Sequence, residues 1–275
     1  MSERRPEMLG IDETVPHAAR VYDYFLGGDT NFAVDRAAAE AAAELAGGLE
    51  RVRAEVQANR AFLVRAVRYL AREAGVRQFL DLGTGIPAGD NVHAVALDEE
   101  PDARIVYVDK DPVVLAHAHV LLRGAEGSTR FLLEDVRAPD KVLARAGDLL
   151  DLRSEPVAVM MVGLLHHIRD VDDPAGLVAR YMAGVPAGSY LVASHLASDI
   201  HADGYVEAGE QLDGDMDEPL LFRDRDAVAT YFAGLEMVDP GLVPVDDWRP
   251  SGGGSGAPQG EANPLHVGVG RKPGA

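Results

Sequence analysis

The apolar positions of the chain change their period once, near residue 75. Before that point they recur every three to four residues, the spacing of one helix face. A helix is predicted from Pro16, with Val21, Phe25 and Leu26 along one side, and Gly27 and Gly28 stop it. Asp29, Thr30 and Asn31 suit the N-cap of a second, alanine-rich helix that ends at Gly47 and Gly48. A third is predicted over 51–73, with Val52, Val56, Leu63 and Leu70 as its buried stripe. Arg53, Arg60, Arg65, Arg68 and Arg72 then form its solvent face. Beyond 75, short apolar runs alternate with helical patterns. Strands are predicted at 77–82, 103–109, 129–135, 156–162 and 189–196, and helices at 91–99, 112–122, 140–146 and 174–182.

Strands that alternate with helices imply a parallel sheet wound on both faces. The uninterrupted VAVMMV (157–162) fits a strand covered on both sides. The end of the chain differs. Residues 199–219 are acidic and loop-rich, and 224–232 has a helical pattern. A strand with a Pro-Gly interruption at 234–243, a flexible SGGGSGAPQG loop (251–260) and a last strand at 265–272 follow. The two late strands suggest an antiparallel pair at the sheet edge. The expected organisation is a flexible N-terminus (1–15), a helical cap or lid (16–75) and one α/β domain (76–275).

Composition narrows the class. With 275 residues, 47% of them hydrophobic, the chain can fill one large domain with an accessory layer. No apolar run approaches the roughly 18 residues of a membrane helix, so no membrane partner is expected. MSERRPEMLGIDE has arginines but no apolar stretch behind them, unlike a secretory signal. The absence of cysteine excludes disulfides, thiolate zinc sites and cysteine nucleophiles, and fits a cytoplasmic location. A net charge of −19 repels phosphate backbones, which argues against nucleic acid; the charge otherwise reads as solubility, and the expected partner is a small-molecule substrate.

The candidate chemistry centres on FLDLGTGIPAGDN (79–91), a strand that turns through glycines into a helix. Such turns hold adenosine-containing cofactors. GTGIPA fits the dinucleotide pattern G-x-G-x-x-G/A, so a nicotinamide oxidoreductase is one reading. Gly83 and Gly85 let a ligand approach where a side chain would collide. Asp109 closes the next strand, where an acid can accept from ribose hydroxyls or cap the following helix. Asp81, just before the turn, would repel a pyrophosphate but welcome the sulfonium and ammonium of S-adenosylmethionine. EDVR (134–137) places Asp135 and the Val136 backbone where adenine can be held, or Asp135 where it caps a helix.

DLGTG, YVDKDP, EDVR and MMVGLLHHI together resemble the successive motifs of class I S-adenosylmethionine-dependent methyltransferases. The chain is similar in particular to one bacterial family of that class, long catalogued only as a domain of unknown function. PHAARVYDYFLGGDTNFAVDR (16–36), FLDLGTGIPAGDNVH, ARIVYVDKDPVVLAHA, LLHHI, YFAGLEMVDPGLVPVDDWRP and VGRKP carry that likeness over about 16–273. The resemblance implies a Rossmann-like, seven-stranded, mostly parallel sheet with a reversed final hairpin and S-adenosylmethionine as cofactor. It implies the methionine moiety over Asp81, Gly83, Thr84 and Gly85, ribose at Asp109 and Lys110, and adenine near Asp135 and Val136. The segment that starts at Gly163 would border cofactor and acceptor. The resemblance is silent on the methyl acceptor.

Four residues of YDYFLGGDTNF, Tyr24, Gly28, Asn31 and Phe32, can close over the cofactor or simply connect two helices. Arg20 can pair with the cofactor carboxylate or with a surface acid. His166 follows a buried strand at the ligand-binding edge and is the candidate general base; His167 fits a capping or packing role. His195 and His201 complete no recognised ligand spacing with His166, so no metal is expected. The acidic run 199–218 can select an amine-bearing substrate or be a solvated loop. A non-catalytic protein that keeps the cofactor pocket is the remaining alternative to an enzyme.

Overall fold

A computed structural model of the protein describes residues 12–86, 90–121, 125, 127–200, 207, 209, 218–250 and 263–274. The start of the N-terminus (1–11), residues 251–260 and most of the acidic run lie outside them.

Five parallel strands form the body of one sheet: β1 (Gln78–Leu82), β2 (Arg104–Asp109), β3 (Thr129–Leu133), β4 (Val157–Met161) and β5 (Tyr190–Leu196). Two short strands, β6 (Glu236–Met237) and β7 (Val243–Pro244), and the longer β8 (Leu265–Arg271) complete it. The order is β3-β2-β1-β4-β5-β8-β6, and β7 also pairs with β8. β8 runs antiparallel to β5 and to both short strands. The expected late antiparallel pairing is present, but the last strand sits inside the sheet. The edge is a strand broken in two at Pro240, which has no N–H for a ladder, and Gly241, whose φ is 93°.

Three helices precede the sheet: α1 (Ala18–Phe25), α2 (Ala33–Leu45) and α3 (Leu49–Arg72). The crossovers carry α4 (Val92–Glu99), α5 (Pro112–Leu121), α6 (Pro139–Ala146) and α7 (Pro174–Ala183), and α8 (Arg225–Ala229) follows β5. Alternation along the strands divides the core into two layers. Leu80, Leu82, Val106, Val159 and Met161 pack with Val142 of α6 and Leu177 and Tyr181 of α7. Phe79, Ile105, Tyr107 and Met160 pack with Phe62, Val67 and Leu70 of α3 and Ala96 of α4. Asp81 and Asp109 share the parity of the second group, so both strand ends aim their carboxyls toward the α3 side.

The helical cap is held by Val21, Phe25, Ala39, Ala43 and Val56. Its first two helices are cross-tied by a buried ion pair, Arg20 to Asp35 at 3.1 Å. Asp35 also accepts from the His17 and Phe32 backbone, and so replaces the expected N-cap of α2 at 29–31. The solvent face predicted for α3 is corrected at two positions. Arg65 donates to the carbonyls of Trp248 and Val245, each at 2.9 Å, and so clasps the returning chain. Arg60 turns toward the strand ends and donates to Asp90 O at 2.8 Å. Trp248 itself is fully buried, edge-on to Phe62 at 5.3 Å. Among the described residues, no helix is long and apolar enough to cross a membrane.

Candidate active site

The direction of winding reverses between β1 and β4, and in open α/β sheets ligands bind beyond the strand ends at that switch. Here β1 gives way to Gly83 (φ 68°) and Gly85 (φ 64°), a left-handed geometry that favours glycine. The two glycines have different reasons to be there. A Cβ on Gly83 would lie 2.6 Å from Leu164 Cδ1, whereas one on Gly85 would meet nothing within 4 Å and project into open space. Asp109 braces this turn: one carboxylate oxygen accepts from Gly85 N at 2.9 Å, the other from Asp111 N at 3.0 Å. Residues 87–89 of the turn lie outside the described residues.

Beyond these strand ends lies a cavity of about 230 Å³. Asp81, Gly83, Thr84 and Gly85 line it from β1, and Asp109 and Lys110 from β2. Asp135 and Val136 join from beyond β3, and Gly163 and His166 from beyond β4. The sequence candidates on the sheet therefore converge on one space. Those from the α1–α2 connection do not. The ring hydroxyl of Tyr24 donates to Glu40 at 2.7 Å, and Asn31 Nδ2 donates to Asp23 and to Gly28 O. Phe32 lies under the Arg20 guanidinium, 5.0 Å from ring centroid to Cζ. The donors of Arg20 are taken by Asp35, Asp12 O and Val15 O. The cap instead presents His17, Tyr22, Phe25, Glu55, Asn59 and Arg60 to the cavity.

Glu55 and Asn59 left a signal in the sequence. They occupy the helical spacing of Val52, Val56 and Leu63, so each is a polar residue within an apolar stripe. Both are buried.

Charge in the cavity is set by burial. Asp81 is pushed up to about 6 by loss of water, against the Thr84 hydroxyl that donates to it at 2.8 Å and the Arg60 guanidinium. Burial also raises Asp109, opposed by its two backbone donors. Partial burial works against the Asp135 carboxylate, but Arg137, bound to both its oxygens, outweighs it and holds the group low. Lys110 pairs with Glu218 at 2.5 Å.

The histidines differ in their surroundings. Burial, then His167, His195 and Arg223, hold His166 well below the usual imidazole range, so it is neutral. Its Nδ1 has no hydrogen-bond partner among the described residues. His167 Nδ1 lies 2.7 Å from Pro219 O, and the residue also lines the cavity. His195 Nε2 lies 2.8 Å from Arg223 Nη1, a pure donor, so the proton of its ring sits on Nδ1. Among the described residues no group of three or more His, Asp or Glu is placed to hold a metal; His201 is outside them.

The chemistry of the lining fits an adenosyl sulfonium. Two buried carboxylates, Asp81 and Asp109, line the cavity beside Gly85, where they suit a cation better than a pyrophosphate; Arg60 at the same end donates to Asp90 O.

Comparison with known proteins agrees. The chain matches a family model described as S-adenosyl methyltransferase over residues 4–273. It is similar to a DUF574 family protein from Streptomyces avermitilis MA-4680, at 35% identity and a TM-score of 0.89, over 95% of this chain and 99% of that one. It is equally similar to a protein from Thermobifida fusca YX described as a candidate methyltransferase, at 35% identity and a TM-score of 0.87, over 99% and 100% of the two chains. An O-methyltransferase family protein from Burkholderia thailandensis shares the fold at 14% identity, with a TM-score of 0.54 over 82% of this chain and 61% of that one. No curated protein matches. A reversed-edge Rossmann-like sheet, a glycine turn braced by the acid of the neighbouring strand, and a match over nearly the whole length place this chain in the S-adenosyl methyltransferase family, whose cofactor is S-adenosylmethionine.

Proposed function

We propose that the protein transfers the methyl group of S-adenosylmethionine to an oxygen or nitrogen of a small-molecule acceptor. The observation that carries this is a single cavity that joins the strand-end carboxylates to a buried, neutral histidine. The cofactor supplies an already activated methyl on a sulfonium. What remains for the chain is alignment and exclusion of water. Asp109, fixed by Gly85 and Asp111, is positioned to accept from ribose hydroxyls. Asp81 stabilises the cationic end, and Asp135 with the Val136 backbone borders the adenine end. Neutral His166 can accept a hydrogen bond from the acceptor hydroxyl or amine and so orient it; burial disfavours its imidazolium, which makes it a weak base for the proton that methylation releases.

Calorimetric titration with S-adenosylmethionine, S-adenosylhomocysteine and NADH tests this reading. Both adenosyl ligands are expected to bind and NADH to fail. Asp109→Ala should weaken adenosyl binding at least ~10-fold, the loss of a charge-assisted hydrogen bond and of the turn it braces. NADH binding without adenosyl binding would overturn the assignment.

A further inference from the structure

The cavity has two unlike walls. Carboxylates, glycines and backbone of the strand ends make one. The other is largely apolar: Phe25 of α1, Ala42 of α2 and its C-cap Ala46, Val56 of α3, and Leu220 and Phe222 from the chain before α8. Leu220 and Phe222 pack against Ala42 and Ala46, so α2 and this segment close the lobe together. The residues between and after them face the other way. Leu221 N donates to His166 O at 2.9 Å, and the Arg223 guanidinium donates to Leu165 O at 3.1 Å and to Ile168 O at 2.8 Å. The segment that walls the lobe therefore also holds the turn that carries His166.

One corner of the lobe is polar. Asn59 of α3 is 4% exposed, and its Nδ2 donates to the Tyr22 hydroxyl at 3.2 Å. Its Oδ1 is buried with no hydrogen-bond partner among the described residues. A buried acceptor of this kind is costly unless a donor arrives. Asn59 lies against Gly163, where a Cβ would come within 3.3 Å of Nδ2, and His166 follows three residues on.

The titratable groups that border the lobe are Glu55 on α3 and His166 and His167 beyond β4. Burial is the first cause of the shift at each. It pushes the Glu55 carboxyl up to about 8 and holds both imidazoles below their usual range. A positive field would lower all three groups, and a negative field would raise them. Opposite shifts mark exclusion of water, and all three are uncharged at neutral pH. The cations that line the cavity answer to acids elsewhere: Arg60 acts on Asp81, Lys110 pairs with Glu218, and Arg137 with Asp135.

We propose that this lobe is the acceptor site, and that it takes an uncharged, largely apolar molecule whose O–H or N–H lies beside Gly163 and donates to Asn59 Oδ1. The assignment rests on the methyl-transfer reading of the cavity. An ion of either sign would give up its water to an apolar wall that offers it no counter-charge, which is costly. A neutral molecule with one donor loses little and meets the orphaned amide. Its methyl ether no longer has the donor and leaves Oδ1 unmet, so the lobe favours substrate over product. The cofactor is the competing occupant of the lobe, and saturation with its demethylated form separates the two.

The test uses protein saturated with S-adenosylhomocysteine at pH 7 and four probes of similar shape: 2-phenylethanol, its methyl ether, 2-phenylethylammonium and phenylacetate. Calorimetry or ligand-observed NMR gives their affinities. The alcohol is expected to bind at least ~10-fold more tightly than either ion, from the cost of burying an uncompensated charge. It should exceed the ether by ~3-fold or more, the worth of one hydrogen bond, and Asn59→Leu should remove that margin. Ala46→Phe fills the lobe and should weaken the alcohol at least ~10-fold while S-adenosylhomocysteine affinity stays within ~3-fold. If Ala46→Phe fails to fold, the wild-type ranking and Asn59→Leu carry the test. An ion or the ether that binds as tightly as the alcohol overturns the assignment, as does a lack of probe binding beside normal S-adenosylhomocysteine binding. Folded Ala46→Phe protein that loses S-adenosylhomocysteine instead gives the lobe to the cofactor and also overturns it. Wild-type protein that fails to bind S-adenosylhomocysteine overturns the methyltransferase reading and the acceptor site with it.

Discussion

At the scale of single residues, the buried acids of the cavity burden the fold. Folded Glu55 keeps its proton up to about 8, against an ordinary 4.5. The folded state thus binds more protons than the unfolded state between those values, and stability falls as pH rises through that window. It is fully present below the lower value and flat above the upper. Asp81, raised to about 6, adds the same sign over a narrower range. Glu55→Gln is therefore expected to raise Tm by roughly 5 °C at pH 8 and to change it little near pH 5. Paired thermal melts at the two pH values check this, and a uniform shift at both would assign the effect to packing instead.

At the scale of elements, the joint between α1 and α2 depends on one buried pair. Arg20 and Asp35 satisfy each other, the Asp12 and Val15 carbonyls, and the His17 and Phe32 amides. Removing either partner strands a buried charge, at about 3–5 kcal/mol. Arg20→Ala and Asp35→Ala should each lower the denaturation midpoint strongly, and Arg20→Met with Asp35→Leu should recover only a small part of the loss, because the two carbonyls and two amides stay without partners. Chemical denaturation of the three variants distinguishes this from a surface pair, which would shift the midpoint little. The same joint shows where the sequence was legible. The strands β1 to β5 stood out because their apolar runs are uninterrupted, and Asp81 and Asp109 because they sit at strand ends. By residue type Tyr24, Asn31 and Arg20 suit both a ligand contact and a local connection, and sequence alone leaves the two open. Locally the connection satisfies itself, through Asp23, Glu40 and Asp35. Arg65 falls on the solvent face by periodicity because its partners, Val245 and Trp248, lie some 180 residues away in sequence. Periodicity carries no information about such a return.

At the scale of the whole molecule, that return ties the end of the chain to α3. Trp248 is the only tryptophan of the protein, buried against Phe62 and Tyr69 and covered by the Arg249 guanidinium, 3.9 Å from the Tyr69 ring. Its fluorescence therefore reports the docking of residues 245–249 on the cap's longest helix. If cap, sheet and tail form one cooperative unit, fluorescence and far-ultraviolet circular dichroism are expected to show coincident urea transitions. Trp248→Ala should cost about 3–5 kcal/mol, as for a large aromatic removed from a core. A fluorescence transition that precedes loss of helix would instead mean that the tail undocks first.

The two walls of the cavity also bear on how such a protein diversifies. The strand-end wall comes from residues 81–136 and a short stretch near 163, the cap wall largely from 17–63. Drift in one stretch need not disturb the other. A duplicated gene can exchange Val52, Glu55 or Val56 and keep Asp81 and Asp109 unchanged. On the proposed reading, lineages built on this plan can change what they modify while what they modify it with stays constant.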